Sequence, residues 1–258
     1  MTATAIILAR AGSKGLPGKN TAPLAGRPCL EWSVLDAQAA VSVSRVAVSS
    51  DDPRALELAE AGGAIPIRRP PDLASDTATV DAAARHAHIA LGEPEGPVLI
   101  LYANVPLRPT GLLDRAVAKL TETGAHSVQS YAPVGKHHPW WTARLDETSG
   151  AVTPWEGEVL NHGVYRRQEL PPAYVPDAGV IAVTPDALHL RLELPEEVAC
   201  SPHAFFGTSR VGIVTGEGEV IDIDSALDAM VAEASLTRRE QARARQAPGP
   251  RGWRDAHR

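Results

Sequence analysis

Phenylalanine, methionine and cysteine each occur only twice in this 258-residue chain, and aromatic residues make up 4% of it. Cys29 and Cys200 are too few for a disulfide scaffold or a zinc cluster, and they read as reduced thiols of a cytoplasmic protein. No stretch approaches 18 uninterrupted apolar residues, which argues against a membrane span. The apolar start, Met1 to Ala11, has no basic n-region and reads as a buried strand, not a secretion signal. Basic charge is not in excess either: 25 Lys and Arg stand against 31 Asp and Glu, a net charge of -6, which argues against a duplex nucleic-acid binder. The segment from Arg238 to Arg258 carries +5, leaving -11 on the rest of the chain. Rich in Arg, Ala, Gln, Gly and Pro, residues 237–258 read as a disordered basic tail.

What is present is an apolar content of 44%, punctuated by 21 Gly and 22 Pro. The run Thr4 to Ala9 is short and continuously apolar, as in a strand covered on both faces. A glycine-rich segment follows, then helical spacing over Leu30 to Ala40, with Trp32, Leu35 and Ala39 as its expected inward stripe. Strands are expected at 45–49, 65–67, 98–102, 127–131, 178–183 and 210–214. Helices are expected at 55–61, 81–91, 112–123 and 225–236. This alternation predicts an α/β fold with a mostly parallel or mixed sheet, whose crevice lies beyond the carboxyl ends of the strands. The polar clusters at 10–20, 50–53 and 103–110 would gather there. Between 133 and 175 the rhythm breaks into His-His-Pro, Trp and Pro-Pro clusters, so this stretch reads as an inserted lobe used for dimer contact or as substrate wall. The core is then 1–132 with 176–236.

Two features carry chemistry. The loop after the first strand holds Arg10, Lys14 and Lys19 among Gly12, Gly15 and Gly18. Glycines allow close backbone approach, successive N–H groups from Ala11 through Ser13 can form an anion nest, and the cations suit a triphosphate. The loop matches neither a Walker A nor a GxGxxG fingerprint. The second feature is Ile221-Asp222-Ile223-Asp224, whose carboxylates at i and i+2 project to one side of an extended segment. Two like charges so close suit a divalent cation with hard oxygen ligands, Mg²⁺ being the expected cofactor. Asp224 is also placed to cap the following helix. His137-His138-Pro139 lacks the partners of a tetrahedral metal site; it reads as a structural turn or an acceptor contact. Cys200, near Phe205-Phe206, reads as packing.

These residues resemble the acylneuraminate cytidylyltransferase family, enzymes that make CMP-activated acidic sugars. The resemblance lies in Ile7 to Asn20, in Arg68-Arg69-Pro70-Pro71-Asp72-Leu73-Ala74-Ser75-Asp76-Thr77-Ala78, in Pro106-Leu107-Arg108, in Arg167 to Tyr174 with Gly179, and in Ile221 to Asp224 with Leu227-Asp228. It extends in order over residues 4–236. It implies a Rossmann-like nucleotidyltransferase core that dimerises through its inserted lobe, and CTP and a small acidic acceptor as partners. It further implies that Arg10 and Lys19 hold the triphosphate, that Asn20, Arg69 and Ser75 surround the cytidine, and that Asp222 and Asp224 bind Mg²⁺. Arg167 would face the substrate, and Phe205-Phe206 would lie beside the sugar. Asp222 is the candidate to assist deprotonation of the acceptor.

The departures fall on the acceptor side. A family Gln-Pro-Thr-Ser is here Tyr102-Ala103-Asn104-Val105, a family lysine is Trp141, and a family Asn is replaced by Asp177. Tyr102, Asn104, Arg108, His138, Trp141, Arg167, Asp177, Phe205 and Phe206 are the expected acceptor-side residues. The reading is therefore CMP transfer to a nonulosonic acid, with a different acid or a phosphonate as an alternative acceptor. A nucleotide-binding relative without activity is disfavoured by the intact Asp222/Asp224 pair.

Overall fold

The computed structural model describes residues 2–12 and 15–246. Strand β1 (Ala3–Leu8) is followed by the two-residue strands β2 (Pro23–Leu24) and β3 (Arg27–Pro28), helix α1 (Cys29–Ala39) and strand β4 (Val43–Ser50). Helix α2 (Pro53–Ala61), strand β5 (Ile65–Arg68), helix α3 (Val80–Ala90), strand β6 (Val98–Tyr102), helix α4 (Leu112–Thr123) and strand β7 (Ser127–Pro133) continue the alternation. A short hairpin of β8 (Ala143–Leu145) and β9 (Val152–Pro154) precedes β10 (Tyr174–Val183). The chain ends with α5 (Pro185–Leu188), α6 (Glu196–Ala199), β11 (Arg210–Val214) and α7 (Ala226–Gln246).

Seven strands form one sheet in the order β11-β7-β10-β6-β1-β4-β5. Only β10 runs antiparallel to its neighbours, β6 and β7. This is the expected mixed sheet, and Pro66 lies on its edge strand β5, where a missing N–H costs no ladder bond. Because strand side chains alternate, β1 serves two cores. Ala3, Ala5 and Ile7 pack with α1, α2 and α4, whereas Ile6 and Leu8 face α3 and the Phe205-Phe206 turn. Local signals set several boundaries: Asp52 caps α2 with Pro53 in its first turn, and Thr79 caps α3.

A third apolar cluster matters most for the site. Leu24, Cys29, Trp32, Leu107, Ile223, Ala232 and Leu236 pack together, so α7 and the segment before it are pinned against α1. The inward face of α1 is Cys29, Leu30, Trp32, Ser33, Val34 and Ala37; Leu35 and Ala39, expected inside, face out. The helix expected to stop at Leu236 continues to Gln246. Arg239 explains part of that extension, lying 5.3 Å over the Trp32 ring and 3.8 Å from Asp36. Residues 247–258 of the expected tail lie outside the described residues. Among the described residues no helix is long and apolar enough to cross a membrane.

Candidate active site

Strand β1 delivers Arg10 to the carboxyl edge of the sheet, and the end of β4 fixes the start of the loop. Ser50 Oγ donates to Ala9 O at 2.5 Å, and Ala11 N donates to Asp51 Oδ1 at 2.9 Å. The Ala11 N–H is thus already paired and does not supply the expected anion nest. Ser13 and Lys14 lie outside the described residues, and Gly12 is exposed and does not line the cleft. Farther along, Asn20 Nδ2 donates to Arg10 O at 3.0 Å, folding the loop back over the strand end. Asn20 Oδ1 is buried without a partner among the described residues, in a side chain that lines the cleft. A buried acceptor left open in this way suits a ligand hydrogen-bond donor.

The loop reaches the other chemical feature directly. Lys19 Nζ donates to Ile223 O at 2.7 Å and to Asp224 Oδ1 at 2.5 Å, although the residues are more than 200 positions apart in sequence. Gly15 permits this approach, because a Cβ there would lie 2.5 Å from the Asp224 carbonyl oxygen. Ile223 is buried in the third core cluster while Asp222 and Asp224 face outward, the alternation expected of an extended segment. Asn104 Nδ2 donates to Asp222 Oδ1 and to Ile223 O, so Asn104 braces the carboxylate segment from the end of β6. The cap of α7 is Ser225 and not Asp224: Ser225 Oγ accepts from Asp228 N, and Asp228 Oδ2 accepts from the Ser225 and Asp224 N–H groups.

The cleft between these walls has a volume of about 410 Å³. Arg10, Gly15, Lys19, Asn20, Arg69, Ser75, Asn104 and Asp224 are among its lining residues. Arg69 is buried and anchored to Ser49 through its Nε and Nη2 atoms, and burial lowers its pKa to about 10. Asp76, which the sequence reading did not single out as a site residue, also lines the cleft and pairs with Arg10 at 2.8 Å. Its place within the second signature block was the available signal.

A second cavity, of about 500 Å³, opens from the same wall. Tyr102 and the residues leading into α3, Ala78 to Val80, line both cavities. Phe205, Phe206, Ile181, Pro176 and Pro202 give the second one an apolar wall, with Asp81, Gln129, His203 and Arg210 among its polar members. Burial, with the Asp222 charge as the smaller cause, pushes the Tyr102 phenol up to about 12, so it stays protonated and able to donate at neutral pH.

Five expected acceptor-side residues are elsewhere. Arg108 is buried in the scaffold, where it donates to Gly179 O, Ser33 Oγ, Val105 O and Tyr102 O. Its guanidinium organises the 102–108 loop and has no face toward either cavity. His138 is buried within the 133–175 stretch, where Nδ1 accepts from Trp140 N and Nε2 lies 3.1 Å from Pro171 O. Trp141 donates its indole N–H to Val164 O. Arg167 pairs with Glu217 at 3.1 Å beside a separate hollow that His138 also lines. Asp177 accepts from Ser130 Oγ, Gly179 N and Thr215 Oγ1, which satisfies its carboxylate where repulsion of an acceptor was the concern. In each case local hydrogen bonding claims the polar atoms that motif position assigned to a ligand.

The Asp222/Asp224 pair fits a divalent cation. Burial first, and the Asp224 charge second, hold the Asp222 carboxyl above its ordinary range, a cost that a bound cation would relieve. Among the described residues no group of three or more His, Cys, Asp or Glu forms a complete metal cage. Two carboxylates supplemented by polyphosphate oxygens match the habit of Mg²⁺, which takes few protein ligands.

The profile of the cytidylyltransferase family matches residues 4–147, more than half of the chain. The chain belongs to the cytidylyltransferase family. It is 32% identical to a CMP-N,N'-diacetyllegionaminic acid synthase of Legionella pneumophila over 158 residues, 60% of this chain and 67% of that protein. It is 47% identical over 83 residues to a 3-deoxy-manno-octulosonate cytidylyltransferase of Synechococcus elongatus, 32% of this chain and 34% of that one. An N-acylneuraminate cytidylyltransferase of Oncorhynchus mykiss is 30% identical over 176 residues, 62% of this chain and 40% of the relative. The chain thus spans 34 to 67% of these relatives' lengths. In fold, this chain is similar to a CMP:2-keto-3-deoxy-manno-octonic acid synthetase complexed with CTP. The TM-score is 0.68 at 15% identity, over 93% of this chain and 100% of that one.

Proposed function

We propose that this crevice transfers CMP from CTP to an acidic sugar of the nonulosonic acid type, releasing pyrophosphate. One observation carries the reading: Lys19 of the glycine loop meets Asp224 at 2.5 Å across a cleft that adjoins a second cavity at Tyr102. A triphosphate in the first cavity and an acceptor in the second would have their reacting ends near one junction. The acceptor hydroxyl attacks the α-phosphorus in line, and the bond to the pyrophosphate oxygen breaks. Arg10 and Lys19 neutralise the phosphate oxygens, while the open acceptor of Asn20, the buried Arg69 and the exposed Ser75 at the cleft wall orient the nucleoside. Asp222 and Asp224 would hold Mg²⁺, which when bound supplies positive charge to the polyphosphate. Asp222, braced by Asn104 at the end of β6, is the candidate to take the acceptor proton. The inserted lobe exposes Leu145, Trp155, Val159 and Tyr165, an apolar surface that supports homodimer formation through this lobe.

A second reading, the same chemistry on a phosphonate or another acidic sugar, is favoured by Tyr102 at the cavity junction in place of an amide. Pyrophosphate release from CTP against a panel of nonulosonic acids, an octulosonate and phosphonates separates the two readings by which acceptor is turned over. CTP binding without turnover of any acceptor would contradict both.

A further inference from the structure

The cleft that is to grip a polyphosphate is lined by its own anions. Among the described lining residues, Arg10, Lys19 and Arg69 face Asp76 and Asp224. Arg10 Nη1 is bonded to Asp76 Oδ1 at 2.8 Å and to Ser75 O at 3.4 Å. Lys19 Nζ is bonded to Asp224 Oδ1 at 2.5 Å, with the lysine side chain only 9% exposed. Arg69 does not restore the balance, because two sides of its guanidinium are committed to Ser49. Among the described residues, the two cations best placed for phosphate, Arg10 and Lys19, therefore already have a counter-ion, and each counter-ion lines the same cavity.

We propose that Asp76 and Asp224 are resident counter-ions of the phosphate-gripping cations, so that each carboxylate weakens binding of a bare polyphosphate. The inference rests on the nucleotide reading above and deepens it, since it says which form of the ligand the site prefers. A phosphate that reaches Arg10 must also approach Asp76, which is bonded to it. At about 6 Å in a water-like dielectric, each unit of like charge weakens affinity about threefold. The two carboxylates act differently once a metal is present. Asp224 can exchange its lysine for a divalent cation while Lys19 passes to the phosphate, so it penalises the bare anion and favours the metal complex. Asp76, on the far side of the cleft beside Arg10, gains nothing comparable and penalises both forms, which also favours departure of pyrophosphate. The cleft thereby selects metal-loaded nucleotide over bare polyphosphate.

Titration calorimetry on the full chain tests this with two probes, inorganic tripolyphosphate in EDTA and CTP with excess Mg²⁺. Both side chains are solvent-accessible and Asn is isosteric, so Asp76→Asn and Asp224→Asn should keep the fold, which thermal melting checks. In EDTA each variant is expected to bind tripolyphosphate about fivefold more tightly than the unaltered protein. With Mg²⁺ and CTP the signs part: Asp224→Asn weakens binding about tenfold, whereas Asp76→Asn binds at least as tightly as before. Equal or weaker tripolyphosphate binding by Asp76→Asn, or weaker binding by Asp224→Asn under both conditions, overturns the proposal while leaving the transferase reading intact. Failure of the unaltered protein to bind CTP with Mg²⁺ overturns the transferase reading itself.

Discussion

The cleft proposed to take the nucleotide and the cavity proposed to take the acceptor are built on different principles. In the first, residues remote in sequence are tied together at the cavity surface: Lys19 to Ile223 and Asp224, Asn20 to Arg10, and Asn104 to Asp222. In the second, most polar residues that sit at motif positions are drawn into the scaffold, and what faces the cavity is mainly apolar. The difference teaches that a motif position fixes where a backbone passes, whereas burial and local hydrogen bonds decide whether its side chain is free for a ligand.

Arg108 gives the largest expected effect and tests the scaffold side of this contrast. Replacing it with Met removes a buried charged donor from the carbonyls of Gly179, Val105 and Tyr102, of which the last two keep Ser33 Oγ. Stability should fall by about 3–5 kcal/mol in denaturant unfolding. The KM for the acceptor should stay within about twofold at temperatures where the variant is folded. A large acceptor-specific KM change with little loss of stability would return Arg108 to the substrate. Next, Gly15→Ala pushes the loop from the Asp224 carbonyl and should cost about 10²-fold in kcat/KM for CTP, because the two walls of the cleft move apart. An unaffected rate would mean that the Lys19–Asp224 approach is not needed for turnover.

These expectations also mark how far the sequence could be read. The seven-strand alternation, the crossover helices and the 112–123 and 210–214 elements follow from apolar period and turn residues. The outward-facing Asp222 and Asp224 were legible from the i, i+2 spacing. The inward face of α1 was not, because Leu35 and Ala39 differ from Val34 and Ala37 only in which side of the helix the sheet covers. The reach of α7 to Gln246 depends on Arg239 finding Trp32 and Asp36, a tertiary contact that composition alone reads as a basic tail. Asp76 escaped notice for a similar reason, since its importance lies in meeting Arg10 across 66 positions.

Two smaller effects sharpen the comparison on the acceptor side. Tyr102→Phe removes a polar atom shared by the two cavities and should lower kcat/KM for the acceptor about tenfold with the KM for CTP unchanged. A matching rise in the CTP KM would place the phenol on the nucleotide instead. Arg167→Ala should be the mildest, below about threefold in CTP affinity by calorimetry, because its exposed pair with Glu217 lies beside a separate hollow. A loss as large as that from a loop cation would join the lobe to the nucleotide site.

The joint role of the glycine-loop cations and the carboxylate segment is tested most directly by steady-state pyrophosphate release from CTP with an accepted acid. The unaltered chain is to be compared with Lys19→Ala and Arg10→Ala at saturating substrates. Each variant should lose on the order of 10²-fold in kcat while its melting temperature is retained. Rates equal to that of the unaltered chain in both variants would contradict a crevice in which these cations stabilise the transferring phosphate.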